Sequence, residues 1–75
     1  MNNNNKFSIG EFSEKTGIPI PTLHYYDEIG LLRPEKNPSS GHRIYIYQDI
    51  IILQKIISLK FLGYSLDEIK NLLNK

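Results

Sequence analysis

The side chains best suited to bind another molecule lie in the short run Thr22-Leu23-His24-Tyr25-Tyr26. Thr22, His24 and Tyr25 carry a hydroxyl, an imidazole and a phenol, each of which donates and accepts hydrogen bonds. Groups of this kind bind phosphate oxygens and the edges of nucleic-acid bases. They are also ordinary solvated residues on many helices, so the run by itself leaves both interpretations open.

The residues around this run predict two short helices joined by a tight turn. Gly17 suits the left-handed conformation that ends a helix, and Pro21 suits the first turn of the next helix, where backbone N–H groups have no partner. Leu23 and Tyr26 are three residues apart and can face a core, and the second helix is expected to end at Gly30. This pattern is typical of a helix-turn-helix whose second helix is the recognition helix.

A β-hairpin is predicted after the second helix, between residues 32 and 47. Its centre, Asn37-Pro38-Ser39-Ser40-Gly41, is dense in turn-forming residues, and the β-branched and aromatic residues that follow Arg43 suit a strand. The tip is expected to offer backbone N–H groups, hydroxyls and Arg43 to sugar and phosphate oxygens. Arg43 can instead pair with Glu35 or Asp49.

The N-terminal part of the chain predicts a tail and then a first helix. Residues 1–6 include four consecutive asparagines and are predicted to form a disordered tail. Ser8 and Glu11 have the spacing of a capping box, which opens a helix that runs to about Lys15.

Two further helices are predicted after the hairpin. Asp49 is expected to cap a third helix over residues 50–62, and a second capping box, Ser65 with Glu68, opens a fourth. The apolar residues of the third helix extend beyond one face, which is more than a surface helix of a monomer needs. The simplest explanation is that all of them pack in the core. The alternative is that some of them form an interface with a partner subunit.

Composition limits the function classes without selecting one. The 75 residues suffice for one small domain, and 40% apolar with 23% charged residues is ordinary for a folded soluble protein. The chain has no cysteine and two well-separated histidines, so no disulfide, metal or cofactor is expected. No apolar run reaches the length of about 20 residues that spans a membrane, and a cytoplasmic location is expected. No catalytic triad or phosphate-binding glycine loop points to an enzyme.

Several segments, taken together, resemble the MerR family of bacterial transcription regulators. They are Phe7-Ser8-Ile9-Gly10-Glu11 with Thr16-Gly17; Thr22-Leu23 with Tyr25-Tyr26-Asp27 and Gly30-Leu31-Leu32; Gly41-His42-Arg43 with Tyr45; and Leu62-Gly63-Tyr64-Ser65-Leu66-Asp67-Glu68-Ile69. Each segment is a weak signal alone. They occur in order and at the family spacing over nearly all of residues 7–73, which makes the resemblance specific.

The resemblance implies a mainly α fold, a winged helix-turn-helix with a short β-hairpin wing and a following helix pair. The domain would occupy residues 7–75. Within it, residues 7–32 would form the helix-turn-helix, residues 33–47 the wing and residues 49–74 the helix pair.

The resemblance also implies a function. Family members bind double-stranded DNA at promoter operators as homodimers, and many act on RNA polymerase indirectly by changing the shape of promoter DNA. The family's dimerisation helix and effector domain would lie beyond Lys75. The chain is therefore expected to be a fragment of a longer regulator.

The residues expected to contact DNA are polar, basic or turn residues of the second helix, the wing and the third helix. They are Thr22, His24, Tyr25, Lys36, Ser40, Gly41, His42, Arg43, Tyr45 and Lys60. Tyr25 is expected on a phosphate, whereas Tyr26 is assigned to packing. Gly41 is explained by turn geometry alone, and a solvated side chain is the usual explanation of any single lysine.

Three positions depart from the family pattern. His24 stands where arginine is usual, so a guanine or phosphate contact there is expected to be weaker or absent. His42 stands where tyrosine is common in the wing, and Pro19 replaces the frequent serine cap of the recognition helix. The operator sequence therefore cannot be taken from the family.

Two other functions remain compatible with the sequence. One is an architectural, excisionase-like or DNA-packaging winged helix. The other is a winged helix that is used only for protein–protein contact.

Overall fold

The computed structural model describes residues 5–75, in which four helices surround a small three-stranded antiparallel sheet. The elements in chain order are β1 (Lys6–Phe7), α1 (Ile9–Thr16), α2 (Ile20–Glu28), β2 (Glu35–Lys36), β3 (Arg43–Ile46), α3 (Tyr47–Phe61) and α4 (Leu66–Leu73). This architecture is the predicted winged helix-turn-helix with a following helix pair. Within residues 5–75, none of the helices combines the length and the apolar character that crossing a membrane requires.

The first helix has the predicted boundaries because its signals are local. The Ser8 Oγ accepts the Glu11 N–H at 3.1 Å, and the Glu11 carboxylate accepts the Ser8 N–H at 2.9 Å, which completes the capping box. Phe7 and Phe12 lie across this cap with ring centroids 6.4 Å apart. Gly17 ends the helix with a φ of 78°, a conformation that glycine adopts without steric cost.

Two hydroxyl groups fix the turn between α1 and α2. The Ser13 Oγ donates to the Ile18 carbonyl at 2.6 Å, and the Thr16 Oγ1 donates to the Phe12 carbonyl at 2.8 Å while accepting the Ile18 N–H at 3.3 Å. Helix α2 begins after Pro19, which provides no side-chain cap. The angle between the two helices therefore depends on these short side-chain bonds as well as on packing.

The sheet contains a strand that the sequence did not predict. Its order is β1-β3-β2, and Lys6 pairs with Ile46 while Phe7 pairs with Tyr45. The prediction that Lys6 belongs to a disordered tail is wrong, because Lys6 forms this edge strand; residues 1–4 of the predicted tail lie outside the described residues. A two-residue strand has no alternation of polar and apolar residues that a sequence could display.

Helix α3 begins at Tyr47, ahead of the predicted start at Ile50. Asp49 is not the N-cap; it is the third residue of the helix, and its carboxylate accepts the Ile46 N–H at 2.8 Å. Ile46 has no side-chain acceptor, so only this half of a capping box exists. Burial raises the pKa of Asp49 above its ordinary value, and the Ile46 hydrogen bond opposes part of that rise.

Helix α4 begins at the predicted capping box, and the helix pair closes the core. Ser65 and Glu68 form the second capping box, with bonds of 2.8 and 3.1 Å. The Lys70 side chain of α4 lies against Gly30 at the end of α2, where an added Cβ would lie 3.2 Å from its Nζ. The buried core residues are Phe12, Leu23, Tyr26, Leu31, Leu32, Tyr45, Leu53, Ile56 and Ile69.

Candidate nucleic-acid interface

Helix α2 has one buried and one exposed side. Leu23 and Tyr26 are buried, which confirms that Tyr26 is a packing residue. His24 is exposed, Tyr25 is 49% exposed, and Thr22 is half-buried. Imidazole and phenol groups are thus available on the outer side of the helix that follows the turn.

The wing tip between β2 and β3 is held together by its own hydrogen bonds. The Asn37 side chain accepts the Ser39 and Ser40 N–H groups at 2.8 and 3.2 Å, and the Asn37 carbonyl accepts the Gly41 N–H at 2.8 Å. The Ser40 Oγ accepts the His42 N–H at 3.2 Å. The prediction that the tip offers backbone N–H groups is therefore wrong for Ser39, Ser40, Gly41 and His42, because their N–H groups are hydrogen-bonded inside the turn.

The hydroxyl hydrogen of Ser40 and the exposed His42 imidazole remain on the surface of the tip. Gly41 has a φ of 79°, and an added Cβ would have no neighbour within 4 Å. Turn geometry therefore accounts for this glycine.

The outer side of α2 and the wing tip border one cleft. His24 of α2 lines it together with Gly41, His42 and Arg43 of the wing, and Ser8 and Ile9 complete it from the start of α1. An adjoining cleft is lined by His42 and Ser40 together with Lys6. The structure thus brings together residues of both predicted parts of the interface, the second helix and the wing. No group of three or more metal-ligating side chains comes together within residues 5–75.

Arg43 does not extend from the wing as predicted. Its Nε donates to the Asp27 Oδ2 at 2.6 Å, its Nη2 to the Asp27 Oδ1 at 2.9 Å, and its Nη1 to the Pro34 carbonyl at 2.9 Å. The partner is neither Glu35 nor Asp49. The guanidinium is turned inwards because β3 places Arg43 on the same side as the buried Tyr45, and it joins the wing to the end of α2.

Tyr45 is fully buried, so it is not a DNA-contacting residue as predicted. Its ring stacks on Phe12 with a centroid distance of 4.3 Å and an interplanar angle of 18°. Its hydroxyl has no hydrogen-bond partner among the described residues. Burial, followed by the negative charges of Asp27 and Asp49, raises the pKa of Tyr45 to about 12. The residue is part of the core that carries the wing.

The two predicted lysines are exposed, and neither lines the clefts between α2 and the wing. Lys36 lies on β2, where it pairs with Arg43 across the hairpin. Lys60 lies in the last turn of α3. The structure does not bring either lysine into contact with His24 or His42.

Sequence reasoning missed Lys6, Ser8 and Asp27 as residues of this region. Asp27 follows Leu23 by four residues, so helical spacing alone indicated a carboxylate beside the buried side of α2 that needs a cationic partner. No sequence signal places Lys6 and Ser8 beside the wing, because their position depends on the pairing of β1 with β3.

The recognition-type helix, its turn and the adjoining wing define a winged helix-turn-helix domain. Over residues 7–75, the chain matches the family described as "MerR HTH family regulatory protein". The chain therefore belongs to the MerR family.

Solved and curated relatives agree with this assignment. The HTH-type transcriptional activator TipA of Streptomyces coelicolor is 41% identical over 68 residues, which are 91% of this chain and 27% of TipA. The N-terminus of the Bacillus subtilis multidrug transporter activator, MtaN, superposes with a TM-score of 0.85 at 39% identity, covering 92% of this chain and 65% of that structure. EcmrR, solved by cryo-EM as an EcmrR–DNA complex in EcmrR-RPo, superposes with a TM-score of 0.83 at 41% identity, covering 89% of this chain and 25% of that chain. The chain thus spans about a quarter of the length of TipA.

Proposed function

We propose that this chain is the DNA-binding domain of a transcription regulator, with α2 in the major groove of double-stranded DNA and the wing on the flanking backbone. The observation that carries the proposal is the cleft in which His24 of α2 meets His42 and Gly41 of the wing. A DNA-bound relative, EcmrR, shares the fold at 41% identity and supports this function. The two elements lie side by side, as reading one groove and its bordering phosphates requires.

The exposed residues of α2 supply the contacts to the groove. His24 and Tyr25 extend from its outer side, and Thr22 lies nearer the start of the helix. Tyr25 donates its phenol hydrogen to a phosphate, while His24 contacts a base edge or phosphate.

The wing supplies backbone contacts through Ser40 and His42, which are exposed at its tip. Lys36 and Lys60 add phosphate contacts at the margins of the interface. Arg43 and Tyr45 act through the fold: the first fixes the angle of the wing, and the second anchors β3 in the core.

The whole protein is proposed to be a longer regulator. Its relatives include transcriptional activators that are several times longer than this chain. We propose that the complete protein binds promoter operators as a homodimer in the cytoplasm and acts on RNA polymerase through the bound DNA.

An apolar surface on the helix pair supports the homodimer. Phe61 is 89% exposed and Leu62 is 69% exposed, and Ile57, Tyr64 and Leu72 are also exposed. Several exposed apolar side chains on one helix pair of a small domain are typical of an interface. The proposed occupant is the dimerisation helix of a partner subunit.

A salt titration of duplex binding tests the proposed function. A domain that makes about four phosphate contacts should lose affinity with a log–log slope of about −3 to −4. A flat salt response, or no duplex binding at low salt, would contradict the proposal and favour a winged helix used only for protein contact. Selection of bound duplexes from a random pool then distinguishes a sequence-specific reader, which enriches a half-site, from an architectural protein, which does not.

A further inference from the structure

The two histidines of the chain meet at one place in the fold. His24 and His42 are 18 positions apart in the sequence, and both are exposed. They line the same cleft, one from α2 and the other from the wing tip, together with Gly41 of the wing and Ser8 at the start of α1. A group bound in this cleft would therefore lie beside both histidines.

The permanent charges in this cleft are largely compensated. Arg43 lines it, but its guanidinium is paired with the Asp27 carboxylate at 2.6 and 2.9 Å. Glu11, whose carboxylate accepts the Ser8 N–H at 2.9 Å, brings a negative charge next to the cleft. The cleft thus gains little net positive charge from the residues that are always ionised.

Further charged groups lie next to each histidine. Glu28 is exposed on α2 one helical turn after His24, and its carboxylate attracts a protonated imidazole. Lys6 borders the adjoining cleft with His42 and acts in the opposite direction. Among the residues that line the shared cleft, only the histidines belong to a side-chain type that changes charge between about pH 5 and pH 8.

We infer that His24 and His42 form a proton-linked binding site for a DNA phosphate, so that the affinity of this domain for duplex DNA rises as the pH falls. The inference rests on the proposed function, since it assumes that this cleft faces DNA. A neutral imidazole has one N–H donor, whereas a protonated imidazole has two and carries a positive charge. The protonated form of each imidazole therefore binds a phosphate more tightly than the neutral form does.

The size of the effect follows from electrostatic linkage. A phosphate beside an imidazole favours the charged form of the imidazole. We expect each histidine to strengthen binding about tenfold between about pH 8 and pH 5.5, and the pair to strengthen it up to about a hundredfold. The log–log salt slope should also become steeper by up to about 0.9 for each added charge that meets a phosphate.

The test measures binding of the 75-residue chain to a rhodamine-labelled duplex of random sequence by fluorescence anisotropy at low salt. The buffers span about pH 5.5 to 8 and contain EDTA, which prevents a metal ion from bridging the imidazoles. Circular dichroism at each pH establishes that the domain stays folded. The variants are His24→Gln, His42→Gln and the double variant, because glutamine keeps hydrogen-bonding groups but does not titrate.

Lys36→Gln is the matched control, since it removes a permanent charge of the wing outside both clefts and leaves the two histidines and their charged neighbours in place. It should weaken binding by a similar factor at both ends of the pH range. Each single histidine variant should lose part of the pH response, and the double variant should bind equally at all pH values.

Two results would overturn the inference alone: duplex binding that does not depend on pH, or a pH response that persists in the double variant. If the chain binds no duplex at any pH at low salt, the proposed function fails, and the inference fails with it. The salt titration at about pH 8 separates these cases, because it detects phosphate contacts that need no protonated histidine.

Discussion

The guanidinium of Arg43 donates two hydrogen bonds to the carboxylate of Asp27, from Nε to Oδ2 at 2.6 Å and from Nη2 to Oδ1 at 2.9 Å. This pair joins β3 to the last turn of α2, so it couples the wing to the helix whose outer side carries His24. The exposed fractions of the two side chains are 23% and 15%, which leaves limited access to water. The relative position of the two elements that we propose to contact DNA therefore depends on an interaction inside the protein.

Replacement of Arg43 should destabilise the fold. Arg43→Ala leaves Asp27 without its main cationic partner and the Pro34 carbonyl without a donor, and it is expected to lower the free energy of unfolding by about 2 kcal/mol. Arg43→Lys should recover little, because an ammonium group cannot make the paired contact. Urea unfolding followed by circular dichroism measures both variants.

Arg33→Ala is the control for this experiment. The Arg33 Nε lies 3.6 Å from the same Asp27 carboxylate, but its side chain is 65% exposed, so the loss should stay below about 0.5 kcal/mol. Equal losses for Arg33→Ala and Arg43→Ala would contradict the assignment of Arg43 to the main pair.

Removal of the Tyr45 hydroxyl should be tolerated. The hydroxyl has no partner among the described residues, so Tyr45→Phe deletes a buried polar group without breaking a hydrogen bond. The stability at neutral pH is expected to stay unchanged or to rise by up to about 1 kcal/mol. A loss of more than about 1 kcal/mol in urea unfolding would show that the Tyr45 hydroxyl makes a stabilising contact.

The same variant should change the response to alkali. The pKa of Tyr45 is about 12 in the folded protein against 10.0 for an ordinary tyrosine, so the unfolded state loses its proton first. The stability that comes from this group is complete below pH 10 and is lost as the pH rises from 10 towards 12, by about 3 kcal/mol at most. Tyr45→Phe should lack this loss, whereas Tyr47→Phe, which alters a residue that is 60% exposed, should keep it.

Asp49 should have two opposite effects on stability at neutral pH. Its buried negative charge destabilises the fold, whereas the hydrogen bond that its carboxylate accepts stabilises it. The pKa of Asp49 is higher in the folded state than in the unfolded state, so Asp49 takes up its proton first in the folded protein as the pH falls. The free energy of unfolding therefore increases while the folded state is protonated at Asp49 and the unfolded state is not. Asp49→Asn keeps an acceptor for the Ile46 N–H and removes the charge, so stability at pH 7 should be unchanged or slightly higher. Asp49→Ala loses the acceptor and should cost about 1 kcal/mol.

Acidification provides the check on this assignment. The stability difference between the wild-type chain and Asp49→Asn should shrink as the pH falls towards about 4, where the aspartate is neutral as well. A difference that grows on acidification would show that the charged form of Asp49 is the favoured one.

The features that the sequence predicted correctly depend on residues close together along the chain. Ser8 with Glu11 and Ser65 with Glu68 satisfy helix ends within one turn, and Gly17 supplies the left-handed residue after α1. These helix caps form whatever the rest of the fold does, so the sequence alone predicts them.

The features that were missed depend on distant partners. Lys6 becomes a strand residue only because Ile46 is opposite it, and Asp49 shifts by three helical positions because the helix continues directly from β3. Arg43 and Tyr45 are two residues apart on one strand, so their side chains share a face. That spacing was visible in the sequence, but it does not tell which face of the strand is buried, and the amino-acid types of the two residues favoured a DNA-contacting wing.

Replacing His24 with arginine tests whether this position reaches DNA. His24→Arg adds a permanent charge and a planar set of donors on the exposed side of α2, so it should strengthen duplex binding about threefold to tenfold or alter the selected half-site. Gln54→Arg adds the same charge in the groove between α3 and α4 and should have a smaller effect. If neither affinity nor selected sequence changes for His24→Arg, the side chain does not contact DNA.

The exposed apolar residues at the end of α3 should matter little for the stability of this chain. Phe61→Ser and Leu62→Ser alter side chains that are 89% and 69% exposed, so each should change the free energy of unfolding by no more than about 0.5 kcal/mol. Leu59→Ser, a control in the same helix, removes a side chain that packs against the core and should cost about 2 kcal/mol or more. In sedimentation equilibrium, any self-association of the wild-type chain at high concentration should be weaker for Phe61→Ser, because the apolar patch is smaller. A Phe61→Ser variant that unfolds as readily as Leu59→Ser would show that this surface already belongs to the core and is not available to a partner subunit.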